Sequence, residues 1–130
     1  MCGTKPTKIT LTIGARTDKP YPPSLEDDNG FTSITEPGDQ KTVTLVSPGN
    51  IMIWKMSGDI TKIIAVVETG GDDVFSINPT LQPDGTWQAV VGNFPPGNEK
   101  SYSIVYAVSG ATCDCYCQDP VMKIKPTQTV

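Results

Sequence analysis

Ser47-Pro48-Gly49-Asn50-Ile51-Met52-Ile53-Trp54-Lys55-Met56 is the stretch from which the fold is read. Proline presets one central dihedral and glycine accepts a positive φ, so the first four residues form a turn. Behind it, alternation sends Met52, Trp54 and Met56 to one face and Ile51 and Ile53 to the other. A strand apolar on both faces belongs inside a sheet and under cover. The pattern therefore predicts a central strand over Ile51–Met56, with Trp54 buried between two layers. Gln40–Val46, on the other side of the turn, reads as a second strand.

Outward from this pair, Lys8–Ile13 alternates polar and apolar residues with period two, the pattern of a half-buried strand. Asp59–Val67 is a nearly continuous β-branched run, read as a strand with a short helix as the alternative. Val74–Ile77, Thr86–Val91, Ser101–Val108, Cys113–Cys117 and Val121–Lys125 complete the set. In Ser101–Val108 the residues Tyr102, Ile104, Tyr106 and Val108 share one face. Turn signals separate the runs at Pro83-Asp84-Gly85, Pro95-Pro96-Gly97-Asn98 and Asp119-Pro120. Gly70-Gly71-Asp72-Asp73 reads as a plain hairpin connection. From Arg16 to Asp39 lies a long Pro-rich acidic loop whose prolines exclude a central strand. It is expected to be the most mobile region, with a short edge strand near Phe31 and Ile34. No window holds a 3.6-residue period with caps. Eight or nine short strands with regular turns predict an all-β, two-sheet Greek-key sandwich, one domain spanning residues 1–130.

Composition narrows the function. With 14 acidic and 10 basic residues the chain carries a net charge of −4 and no basic cluster, which disfavours nucleic acid. No stretch approaches the roughly 20 apolar residues of a membrane helix. Met1-Cys2-Gly3-Thr4-Lys5 has no apolar core of a signal peptide, so the chain as it stands is expected to be soluble and cytoplasmic. A native start trimmed before Cys2 would instead fit an exported or surface-anchored protein.

Two stretches resemble known families. Val46–Lys55, with Val74-Phe75-Ser76-Ile77-Asn78-Pro79 downstream, resembles the turn and Trp-bearing strand of cupredoxin-like sandwiches. Asp84-Gly85-Thr86-Trp87 through Pro96-Gly97, Tyr102–Tyr106 and Asp119-Pro120 resembles the last strands of immunoglobulin-like early-set modules, among them starch and glycogen binders. The first likeness implies a scaffold without its copper, because cupredoxins use two histidines and this chain has none. The second implies a sugar-binding face, for which Trp54 and Trp87 would have to reach solvent.

The missing histidine also removes the usual general base. No Ser or Cys stands in a nucleophile elbow or a Ser-x-x-Lys setting. The thiol cluster Cys113, Cys115 and Cys117 has the wrong spacing for zinc, and neighbours two apart on a strand lie about 6.6 Å apart, at the edge of disulfide reach. These cysteines are read first as reduced structural thiols, with one disulfide or a soft-metal site as alternatives. Leu25-Glu26-Asp27-Asp28-Asn29-Gly30 half-imitates a calcium loop but lacks its first Asp, so it reads as a solvated acidic loop. The residues thus predict no cofactor, no metal and no catalysis. The expected role is a non-enzymatic structural or protein-interaction module, binding a protein partner or itself. The alternative is a carbohydrate-binding module using Trp54 and Trp87.

Overall fold

The computed structural model describes residues 8–27, 32–34 and 43–124. These form eleven strands and no helix: β1 Lys8–Arg16, β2 Lys19–Asp27, β3 Thr32–Ile34, β4 Val43–Val46, β5 Ile51–Gly58, β6 Ile60–Gly71, β7 Phe75–Leu81, β8 Trp87–Val91, β9 Glu99–Val108, β10 Tyr116–Gln118 and β11 Val121–Ile124. The first sheet runs β3-β2-β1-β5-β8-β7. The second joins β10, β9, β11 and β4, with β6 on the opposite flank of β9. The two sheets pack face to face as a β-sandwich, as the strand-and-turn pattern predicts.

β5 lies between β1 and β8. That is where a strand with two apolar faces finds cover. Its inward residues Met52 and Trp54 are fully buried, with Leu11 and Ile13 of β1 and Ala89 and Val91 of β8 beside them. Across the core stand Tyr102, Ile104 and Tyr106 of β9, all fully buried, as their shared face predicts. Trp54 meets Phe75 edge-on at 6.2 Å and Tyr102 edge-on at 5.5 Å. Such arrangements set a positive ring edge against a negative ring face.

The Ser47–Asn50 turn carries the chain from the second sheet to the first. Gly49 takes φ 88° there and its amide donates to the Val91 carbonyl at 2.8 Å. The side-chain oxygen of Asn50 accepts from the Ser47 amide at 2.7 Å. Of Asp59–Val67, Asp59 is the turn out of β5 and the rest is strand, part of the longer β6.

Four expectations are corrected. The Arg16–Asp39 segment is not one long loop, because β2 pairs with β1 on one side and β3 on the other. Its ladder uses Ser24–Asp27, while Pro20, Pro22 and Pro23 fall where the register to β1 breaks between Gly14 and Arg16. The prolines occupy the places where no ladder donor is needed, so the strand survives them. β3 is the short edge strand expected near Ile34; Phe31 and Pro37 lie outside the described residues. Of the acidic stretch, Leu25–Asp27 belongs to β2, and the rest lies outside the described residues.

The second correction is the count, eleven strands among the described residues instead of eight or nine. The third concerns Gly70–Asp73, which is no hairpin: β6 and β7 belong to different sheets. Gly71 takes φ +92°, and a Cβ there would run into the Glu99 carbonyl. That carbonyl accepts from the Asp72 amide at 2.7 Å, fixing the crossing onto the start of β9. The fourth is that Cys113–Cys115 is irregular, and β10 begins at Tyr116. β10 and β11 follow one another along the same flank of β9, separated by Asp119-Pro120. Pro120 supplies no N–H, and its carbonyl still accepts from Tyr102 at 3.3 Å.

Candidate functional site

The residues singled out from sequence fall in separate places. Trp54 has no accessible surface, and its indole N–H donates to the Tyr102 hydroxyl at 3.2 Å. Burial holds that phenol well above its ordinary value, and the Asp27 carboxylate adds to the effect. Trp54 is therefore core and presents no face to a ligand. Trp87, its cross-strand neighbour on β8, is half-buried, and its N–H donates to the Ile63 carbonyl of β6 at 2.9 Å. Its polar edge is spent on joining the sheets. Trp54 thus offers a sugar no platform, and Trp87 keeps a part-exposed ring with its N–H committed.

Cys113, Cys115 and Cys117 are free and exposed. Tyr116 between them turns inward and stacks on Tyr106 at 5.8 Å. Its hydroxyl accepts from the Cys113 amide at 3.4 Å. The Tyr106 hydroxyl in turn donates to the Pro20 carbonyl at 2.8 Å, so this loop is tied to the β2 strand. Among the described residues no three His, Cys, Asp or Glu side chains converge as metal ligands. Cys2 lies outside the described residues.

A hollow of about 370 Å³ opens near the β1–β2 hairpin, lined by Gly14, Arg16, Asp18, Lys19, Pro22 and Ser24 among others. Gly14 pairs with Ser24 on one side and Ser57 on the other, and a Cβ there would lie 2.6 Å from the Ser57 hydroxyl. The Ser24 hydroxyl is turned to the Gly14 carbonyl at 3.4 Å and Ser57 to the Ile13 carbonyl at 3.5 Å. Arg16 and Asp18 hold each other at 2.7 Å on the exposed rim. Both serine hydroxyls are thus turned to backbone carbonyls, and the hollow is an open groove beside the hairpin.

The lateral edges were not singled out from sequence. β6, twelve residues long, has β9 as its ladder partner, and β7 has β8. The two lie on one side of the sandwich and carry Ile64, Val67, Ile77 and Leu81, the last two 56% exposed. At the end of the second sheet, β4 exposes Val43 and Leu45. Large apolar side chains gathered on sheet edges mark contact surfaces more often than isolated ones do. Both edges near β6 are guarded against indiscriminate strand pairing: bulges interrupt β6 and β7, and Pro79 sits within β7. The sequence signal was present in Ile63-Ile64-Ala65-Val66-Val67, whose unbroken apolar run must expose one face when the strand is an edge.

No helix among the described residues is long and apolar enough to cross a membrane. No family model matches the chain, and no curated protein does. Among solved structures it is similar to the crystal structure of the inclusion body protein PixA from Burkholderia cenocepacia J2315, with a TM-score of 0.54 and 8% sequence identity. The match covers 93% of this chain and 97% of that one. At that identity the likeness is one of fold, a shared sandwich over nearly the full length of both chains.

Proposed function

We propose that this chain is a non-enzymatic structural β-sandwich that works by associating with further copies of itself. The observation that carries the reading is the pair of unlike exposed edges, Ile64, Val67, Ile77 and Leu81 at β6–β7 and Val43 and Leu45 at β4. A contact between two different edges is head-to-tail, and such contacts extend without closing unless the rotation happens to form a ring. Open-ended growth suits a structural protein, and the similar solved structure is titled an inclusion body protein. A sequence without histidine, and serine hydroxyls at the groove already turned to backbone carbonyls, support the non-enzymatic half of the reading.

Light scattering in reducing buffer tests it. The wild-type chain should grow in mean mass with concentration, and the Val67→Lys/Ile77→Lys variant should stay monomeric, since a charge on each strand must be desolvated at the contact. A wild-type chain that remains monomeric at every concentration overturns the proposal.

A further inference from the structure

Tyr116 opens β10 opposite the fully buried Tyr106, with its ring on the core side. Successive residues of a strand point to opposite faces, so Cys117, next to Tyr116 on β10, faces away from the core, while Cys115 lies in the irregular stretch just before the strand. Both are exposed. Residues two apart on an extended chain have Cα atoms about 6.6 Å apart and parallel Cβ directions, whereas a disulfide needs Cβ atoms about 3.5–4.5 Å apart. Neither Cys115 nor Cys117 is bridged in this structure. Cys113, two residues earlier, is likewise free and exposed, and its amide donates to the Tyr116 hydroxyl at 3.4 Å. Among the described residues these exposed thiols have no bonded partner, and they can react.

We propose that Cys115 and Cys117 form a thiol–disulfide exchange site through which copies of this chain become covalently joined, with a low-molecular-weight disulfide such as oxidised glutathione as the oxidant. The Cys117 thiolate attacks one sulfur of that disulfide, forming a protein–glutathione mixed disulfide and releasing one glutathione thiolate. A thiolate of a second copy then attacks the protein sulfur, forming the interchain S–S bond and releasing the second glutathione. Two protein thiols lose two electrons and two protons, and one disulfide is reduced to two thiols. These two exposed thiols give each chain two points of attachment, so the product is a chain of copies instead of a closed pair. The choice of a second copy as partner rests on the self-association reading, which supplies the high local thiol concentration that lets a neighbour displace glutathione.

The experiment uses the Cys2→Ser chain treated with oxidised glutathione, followed by non-reducing electrophoresis and intact mass. The expected result is a ladder of dimers and higher species that dithiothreitol collapses. Cys117→Ser should shorten it, and Cys115→Ser/Cys117→Ser should abolish it; both positions are exposed, so serine leaves the fold intact. A monomer that has lost two hydrogens, a monomer that stops at bound glutathione, or a ladder that persists in the double variant overturns the proposal. The two readings fail separately. A chain monomeric in reducing buffer that still forms the ladder sinks the edge reading, and reversible association that never becomes covalent sinks this one.

Discussion

The indole N–H of Trp54 and the hydroxyl of Tyr102 are bonded across the sandwich at 3.2 Å, each on a different sheet and both without accessible surface. A buried donor left without its acceptor costs more than the bond itself contributes. Tyr102→Phe should therefore lose about 1–3 kcal/mol by leaving the indole N–H unpaired. Trp54→Ala, which empties the centre of the core, should lose about 3–5 kcal/mol. Urea unfolding of both variants measures this, and a midpoint unmoved in Trp54→Ala would refute the packing of the two sheets around it.

Alkaline solution should unfold the protein before its buried tyrosines ionise. Burial raises the phenols of Tyr102 and Tyr106 above their ordinary value of 10.0. An unfolded chain releases those protons near pH 10 while the folded chain keeps them, so their stabilising contribution is complete below pH 10 and falls as pH rises beyond it. The loss approaches about 1.4 kcal/mol per pH unit for each such group. Absorbance of tyrosinate from Tyr102 and Tyr106 should jump together with loss of tryptophan burial. A smooth titration of all four tyrosines in the folded protein would contradict this.

The paired glycines at the end of β6 should respond in opposite ways. Gly71 has a positive φ and its missing Cβ would meet the Glu99 carbonyl, so Gly71→Ala should destabilise by upwards of about 1 kcal/mol. Gly70 has open space at the same place, and Gly70→Ala should stay within about 0.5 kcal/mol of wild type. Thermal midpoints of the two variants provide the comparison; equal shifts would mean the crossing from β6 to β7 is not built as described.

Local pattern revealed the strands wherever alternation or a two-faced apolar run coincided with burial. Ile51–Met56 and Ser101–Val108 are the clear cases, and the inward Tyr102, Ile104 and Tyr106 could be named from spacing alone. What pattern could not reveal was partnership. Lys19–Asp27 looked unfit for a sheet because proline lacks a donor, yet the requirement applies residue by residue, and the register break falls on the prolines. Gly70–Asp73 looked like a hairpin because a turn signal says that the chain bends without saying to which sheet it goes. The exposed edges were hidden for the same reason: whether Val67 or Ile77 is covered depends on which strand is last in its sheet, a property of topology. Trp54 and Trp87 were both plausible ligand contacts until their neighbours were known, and adjacency on β5 and β8 directs both indoles to structural bonds.

The parallel pairing of β4 with β11 joins Val43–Val46 to Val121–Ile124, two segments most of the described chain apart. No local event can form it. During synthesis the second sheet stays incomplete until its last described strand has emerged, and closing so long a loop must precede the contacts that reward it. Through that interval β4 waits for β11, its ladder partner among the described strands, and unpaired strand edges are where partly folded chains meet other copies. On the self-association proposal, the time the chain takes to fold bears on how copies meet, because the partner that β11 eventually becomes is one that a second molecule can imitate first.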